Sequence, residues 1–355
     1  MALPEKLISA KSEKEKKMSI LEKIPHYSKG MPHKPIFDID FQDEVHMAWG
    51  EKWGYNSTFG KIKKILVYRP GDEQTNELIQ TDRQLFNLPE GPTDLKKMQE
   101  QHDNFTEAMR NDGIEVIYLD PPKPLIGTYG IPLRSAPFMR ETITVPGGVI
   151  ICRLAVAYKK GLEAFAARRV AELGCPILHT LHGKAVFEAS NSVWVDEKSI
   201  ILATGLRSNM EGFRQVESVL RGLGVEDIHH AQLPGYLGNR THQVGPSSGV
   251  FHLDMAFTMA AHKVGVLWPG GVGYDTIAWL EGKGVDIIEL SEDELHTCAP
   301  NILALGPKKV LSPAPGIRMN DELRKRGIEV IEVDLSEFAK AGGGPTCLTL
   351  PLTRE

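Results

Sequence analysis

Five times along the chain an amphipathic run ends on a glycine and gives way to a β-rich segment. The junctions read Met109-Arg110-Asn111-Asp112-Gly113-Ile114-Glu115-Val116-Ile117, Val170-Ala171-Glu172-Leu173-Gly174-Cys175-Pro176-Ile177 and Val219-Leu220-Arg221-Gly222-Leu223-Gly224-Val225. The pattern returns as Leu280-Glu281-Gly282-Lys283-Gly284-Val285-Asp286-Ile287 and Leu323-Arg324-Lys325-Arg326-Gly327-Ile328-Glu329-Val330-Ile331. Glycine lacks a Cβ and suits the left-handed residue that ends a helix, so each junction predicts a helix stopping and a strand starting. Paired β-rich runs also recur: 142–145 with 149–152, 192–195 with 200–203, 257–260 with 264–267, and 301–305 with 309–311. Turn residues such as Pro146-Gly147-Gly148 and Gly306-Pro307 separate them, which predicts hairpins. The chain thus reads as five ββαβ units, from about residue 61 onward, at spacings of about 45 to 60 residues. A unit that small cannot bury a core alone, so the five are expected to close around a common axis. The alternative is an ordinary open α/β sheet.

Composition supports a folded chain with ample apolar content: 41% of the 355 residues are hydrophobic and 25% charged. Lys+Arg 41 against Asp+Glu 46 gives a net charge of −5, which argues against nucleic acid as the main partner. No apolar run approaches the roughly 18 residues of a membrane helix. Lysines and glutamates between Lys6 and Lys17 break any signal-peptide core. Cys152, Cys175, Cys298 and Cys347 are too few and too scattered for a disulfide framework. These points predict a reducing, cytoplasmic compartment. Residues 1–52, with the Lys11 to Lys17 charged run and Pro25, Pro32 and Pro35, read as a partly mobile arm. A single catalytic domain is expected over 53–355.

Several chemical signatures are missing. There is no phosphate-binding Gly-x-x-x-x-Gly-Lys-Ser/Thr loop, and Pro269-Gly270-Gly271-Val272-Gly273 reads as a turn. Without Cys-x-x-Cys or His-Glu-x-x-His, neither a metal nor a cofactor is expected, and His179, His182, His229 and His230 read as loop or strand-end residues. Asn56-Ser57-Thr58 and Asn239-Arg240-Thr241 match a glycosylation pattern that carries little meaning in such a compartment.

What remains is a set of polar residues at the entry of each unit's first strand. They are Glu141 in Phe138-Met139-Arg140-Glu141, Glu188 and Asn191 in Phe187-Glu188-Ala189-Ser190-Asn191, His252 and Asp254 in Phe251-His252-Leu253-Asp254, and Cys347 after Gly342-Gly343-Gly344-Pro345-Thr346. If the units close on one axis, these entries converge and line one pocket. In extended chain His252 and Asp254 would share a face. The triple glycine would let backbone approach a ligand and leave Cys347 on a short exposed segment. Each residue also has a bland reading: Cys347 as a packed thiol, Glu188 as a turn cap, His252 as a satisfied half-buried side chain. Their common register in the repeat favours the functional one.

These stretches resemble the guanidine-modifying, or pentein, enzymes, which include arginine deiminases, dimethylarginine dimethylaminohydrolases and amidinotransferases. The resemblance covers residues 58 to 355 and begins with Gly60-Lys61-Ile62-Lys63-Lys64-Ile65-Leu66-Val67-Tyr68-Arg69-Pro70-Gly71-Asp72-Glu73. Residues 138–141 are similar to the family's Phe-x-Arg-Asp segment, 187–191 to its Glu-Gly-Gly-Asp segment, and 252–254 to its His-x-Asp motif. Thr204-Gly205-Leu206-Arg207-Ser208-Asn209 resembles the segment whose arginine holds a substrate carboxylate. Glu141 stands where aspartate is usual and Asn191 where an acid is usual, which leaves the exact guanidine open.

The resemblance implies a five-bladed α/β propeller with pseudo-fivefold symmetry, and it allows a homodimer. It implies Cys347 as nucleophile, His252 as general acid and base, and Glu188 as the group orienting it. Asp254, Glu141, Arg207 and Asn191 would bind substrate, with no metal, cofactor or nucleic-acid partner. The chemistry suits those types: carboxylates pair with the guanidinium's fork of N–H donors, and a thiolate can attack its central carbon. The expected reaction is hydrolysis of a guanidine C–N bond through an amidino-thioether, giving a ureido product and ammonia or an alkylamine. Transfer of the amidino group to an acceptor amine would use the same residues.

Overall fold

The computed structural model describes residues 23–83, 85–86, 91–235, 250–295 and 297–355. The Lys11 to Lys17 run and the Asn239-Arg240-Thr241 pattern lie outside them. Two compact units divide at residues 44 and 45, the second carrying everything from Val45 to Glu355. Within the second unit Trp53 is already buried.

The second unit is a mixed α/β structure, with five three-stranded sheets among its described residues. Its strands are β1 (Ile62–Val67), β2 (Glu115–Tyr118), β3 (Thr142–Val145), β4 (Gly148–Ile151), β5 (Ile177–Thr180), β6 (Ser192–Asp196), β7 (Ser199–Thr204), β8 (Asp227–Gln232), β9 (Phe257–Ala261), β10 (Val264–Leu267), β11 (Asp286–Glu289), β12 (Leu303–Gly306), β13 (Lys309–Pro313), β14 (Glu329–Val333) and β15 (Leu350–Arg354). Four sheets follow one plan. A hairpin pairs antiparallel, then a helix returns the chain to a third strand parallel to the second. The hairpins fall where the sequence predicts them. Helices Leu95–Asn111, Leu162–Glu172, Met210–Gly222, Tyr274–Gly282 and Ile317–Lys325 precede the third strands. Gly113, Gly174, Gly224, Gly284 and Gly327 all adopt φ between +71° and +83°, the left-handed exit their lack of a Cβ permits.

The first sheet departs from the expected unit. Its antiparallel partner to β1 is β15, from the far end of the chain, so the sheet order is β15-β1-β2. A crossover of this kind leaves no local turn signal to read. It also makes the segment bearing Cys347 the lead-in to the first strand of that sheet.

Burial grades across each sheet. β3, β9, β12 and β15 carry buried residues almost throughout, whereas β2, β5 and β11 are largely half-exposed. The first strands also meet one another: Thr144 Oγ1 donates to Pro351 O over 2.8 Å, and Trp194 Nε1 reaches Thr144 O at 3.5 Å. A cavity of about 40 Å³ is lined by residues of β15, β3, β6, β9 and β12 together with Arg140 and Asp254. Among the described residues no helix is long and apolar enough to cross a membrane.

Candidate active site

Two of the strand-entry positions are short turns. Residues Ala189–Asn191 and Leu253–Met255 form single 3-10 turns just before β6 and β9. His252 is extended, at φ −138° and ψ 148°, but Asp254 sits inside the 3-10 turn. The simple alternation expected for the pair therefore does not hold, because the chain tightens after His252.

Glu188 is the hub. It is fully buried, and its Oε2 lies 2.8 Å from His252 Nε2 and 2.8 Å from Lys159 Nζ. Its Oε1 accepts the Ala155 N–H at 3.0 Å and has Arg207 Nη1 at 3.9 Å. Two cations and an imidazole thus surround one carboxylate. Burial opposes ionisation, but Lys159, His252 and Arg207 outweigh it and hold Glu188 well below the usual carboxylate range. For His252 burial prevails over the Glu188 hydrogen bond and lowers its proton affinity from the ordinary histidine value.

The other two acids are less compensated. Both carboxylate oxygens of Asp254 are buried without a hydrogen-bond partner, and the nearest cation is Arg140, with Nε 3.8 Å from Oδ2. Glu141 Oε2 is also buried and unpartnered. Burial pushes the Glu141 carboxyl up to about 8, although Lys159 opposes the rise. Buried acceptors of this kind are rare without a partner and mark room for a donor-rich group.

Arg207 is buried, stacked over Phe251 at 4.9 Å, and donates through Nη2 to the Tyr158 hydroxyl at 2.8 Å. Its Nη1 has no hydrogen-bond partner. Arg134, which the sequence reading passed over, is buried with Nε and Nη1 unpartnered, and burial pulls its guanidinium down to about 10 while the Tyr158 hydroxyl opposes the fall. Two buried guanidiniums thus have donors to spare.

Asn191 is placed differently from the expected substrate contact. Its Nδ2 donates to Ser208 Oγ at 2.7 Å and its Oδ1 accepts the Leu253 N–H at 2.9 Å. The amide ties the Arg207 turn to the His252 turn. Asn301 does the same elsewhere, donating to Asp254 O at 3.2 Å and accepting the Cys347 N–H at 3.0 Å. It occupies the strand-entry position of the β12 sheet, which the register of the repeat could have revealed.

Cys347 is buried, at 6% exposure, rather than standing on an exposed segment. Two of the three glycines are packed: a Cβ on Gly343 would fall 2.1 Å from the Phe138 ring, and one on Gly344 about 3.0 Å from the Asn301 side chain. These glycines serve close packing of the chain against its neighbours. Burial and the Asp254 carboxylate both raise the Cys347 thiol above its ordinary value, while Arg140 acts in the opposite sense. Asp254 also acts electrostatically on His252, so one carboxylate is felt by both the sulfur and the imidazole. Among the described residues no cluster of His, Cys, Asp and Glu has the arrangement of a metal site.

Comparison with known proteins agrees with this architecture. The arginine deiminase family model matches residues 272–354. A 2-nitroimidazole nitrohydrolase of Mycobacterium sp. (strain JS330) is 26% identical, over 94% of this chain and 92% of its own. An arginine deiminase of Mycobacterium avium (strain 104) is 22% identical, over 85% of this chain and 98% of its own. Among solved structures, a dimethylarginine dimethylaminohydrolase of Pseudomonas aeruginosa, a mutant complexed with citrulline, superposes with a TM-score of 0.63 at 22% identity. It covers 82% of this chain and 99% of that one. The N-terminal domain of ArgZ, a cyanobacterial arginine dihydrolase, gives 0.65 at 17% identity, covering 83% and 98%.

Proposed function

The chain belongs to the guanidine-modifying, or pentein, superfamily, and on that premise we propose that it is a cysteine-dependent hydrolase of an arginine-like guanidine. In this reading the five sheets are blades of an α/β propeller around a pseudo-fivefold axis. The cavity lined by all five first strands supports that arrangement. Residues 53–355 form the catalytic domain.

The observation that carries the proposal is the set of buried polar atoms left without partners. Acceptors are spare on Asp254 and Glu141, and donors on Arg207 and Arg134. A ligand with a guanidinium at one end and a carboxylate at the other is the chemical complement of that set. Asp254 and Glu141 bind the planar cation, and Arg207 holds the carboxylate. Asn191 acts at one remove, by fixing the turns that carry Arg207 and His252.

The thiol of Cys347 is held neutral by burial and by Asp254. A bound guanidinium brings a positive charge that offsets both effects and favours the thiolate. The thiolate adds to the central carbon, and His252 protonates the departing nitrogen, so ammonia or an alkylamine leaves and a cationic amidino-thioether remains. Water then attacks the same carbon while His252 takes its proton. The tetrahedral adduct collapses, expelling the thiolate and releasing the ureido product. Glu188 orients the imidazole throughout, the role of the third member in a nucleophile, base and orienter set.

The nitrohydrolase relative enlarges the substrate range without changing this scheme. The ring C2 of a 2-nitroimidazole also lies between two nitrogens and bears a leaving group. The test is mass spectrometry of products over a panel of arginine, methylated arginines and 2-nitroimidazole, with and without glycine as acceptor. A ureido product independent of glycine is expected from a guanidine. Guanidinoacetate would instead establish amidino transfer, and no product or protein adduct from any guanidine would refute the proposal. Cys347→Ser should bind substrate but turn over at less than about a tenth of the wild-type rate.

A further inference from the structure

Lys159 takes no part in the scheme above, yet it is the nearest cation to the group that orients His252. Its Nζ and His252 Nε2 each stand 2.8 Å from the same oxygen, Glu188 Oε2. The residue is buried, with its side chain 11% exposed, and Glu188 is its hydrogen-bond partner. The turn that carries it grips Glu188 at both oxygens, because the Ala155 N–H takes Oε1. An ion pair that serves only to hold a loop can sit on the surface, where it costs little. Here an ammonium has been desolvated and placed on the oxygen the imidazole uses.

That placement has a consequence for proton transfer. A carboxylate bonded to histidine alone stabilises the imidazolium strongly, and the ring then gives up its proton with difficulty. A carboxylate shared with a lysine has part of its charge already answered. His252 can then deliver a proton to the leaving nitrogen and stand neutral, ready to take one from water.

Building on the hydrolase reading, we propose that Lys159 is a positioning residue that keeps Glu188 half-neutralised on the oxygen facing His252, and so sets the proton affinity of the pair. The other charged groups around the pair are Arg207 from the turn after β7, Asp254 from the turn of His252 itself, Glu141 ahead of β3, and Lys160 beside Lys159. Among these, only Lys159 reaches Glu188 at hydrogen-bond distance in the described structure.

The test uses the full chain and two readouts. In the Cys347→Ser background, the His252 imidazole is titrated by NMR with and without Lys159→Met. The midpoint should rise by about one pH unit or more on losing the lysine, and Lys159→Arg should restore it to within about half a unit. With Cys347 intact, Lys159→Met should lower kcat near neutral pH by about tenfold and move the ascending limb of the kcat profile upward. Lys159→Gln keeps a donor for Glu188 and is judged by the same criteria if the methionine variant does not fold. An unchanged His252 midpoint in a folded neutral variant overturns the proposal. The titration needs no turnover, so a shifted midpoint with no guanidine hydrolysis would leave Lys159 in this role and reject the hydrolase reading instead.

Discussion

Glu141 offers the sharpest quantitative consequence. Its carboxyl is buried, has an unpartnered oxygen, and is pushed up to about 8. If Glu141 binds the guanidinium as a carboxylate, ligand affinity follows its ionised fraction. For a group titrating near 8, that fraction rises from about 3% at pH 6.5 to about 75% at pH 8.5, a gain of about 25-fold or about 2 kcal/mol. The sign is fixed by the charge: protonation at low pH removes the anion, so binding weakens as pH falls. The assay is calorimetric titration of the Cys347→Ser protein, chosen to suppress turnover, with 4-guanidinobutanoate, whose own charge is constant over this range. Measured in buffers of different ionisation enthalpy near pH 7, binding should release close to one proton. Glu141→Gln should abolish both the pH dependence and the proton release. That variant should also gain stability relative to wild type as pH rises toward 8. A carboxyl whose folded value lies above its unfolded one contributes stability at low pH that is lost as pH rises through the folded value. Affinity constant within twofold from about pH 6.5 to 8.5, with no proton released, would refute the assignment of Glu141 to the guanidinium.

Three further outcomes are expected. Arg207→Ala should raise KM for arginine by about 10- to 100-fold while leaving kcat and the KM for agmatine, which lacks the carboxylate, little changed; equal losses for both substrates in steady-state assays would remove Arg207 from the carboxylate site. Asn191→Ala should cost about 2–4 kcal/mol in urea unfolding, since it strands the buried Leu253 N–H and frees Ser208; a cost below about 0.5 kcal/mol would show that the two turns are held by other means. His102 is fully buried between Tyr118 and Phe338, with neither ring nitrogen bonded, and burial lowers its value from 6.5 to about 4. The unfolded chain therefore binds the extra proton first, and about 3 kcal/mol of stability is lost as pH falls from near 6.5 to near 4. His102→Phe should lack that loss in unfolding titrations at successive pH values, and an unchanged acid dependence would contradict it.

Periodicity made the units legible. Glycine at a helix exit and turn residues between β-rich runs are local signals, because they answer to the conformation of two or three consecutive residues. The four hairpins and five left-handed glycines fall accordingly. The strand-entry register also singled out Glu188 and His252, whose side chains do meet. Carried one unit further, the same register points to Asn301, but it stops short at Lys159, a residue that looks ordinary in sequence and takes its importance from a partner 29 positions away.

Some decisions belonged to tertiary structure alone. Pairing β15 with β1 joins strands from opposite ends of the chain, and no local pattern encodes a partner so remote. Burial is likewise a property of the packed molecule: Cys347 sits inside rather than on an exposed segment, and Gly343 and Gly344 make room for Phe138 and Asn301. The amide of Asn191 is committed to Ser208 and Leu253 by the meeting of two turns. Chain order determined which residue types stand at each strand entry. Which of their polar atoms find partners, and which stay buried and open for a ligand, was decided only when distant segments closed on one another, because desolvation and hydrogen bonding depend on neighbours in space.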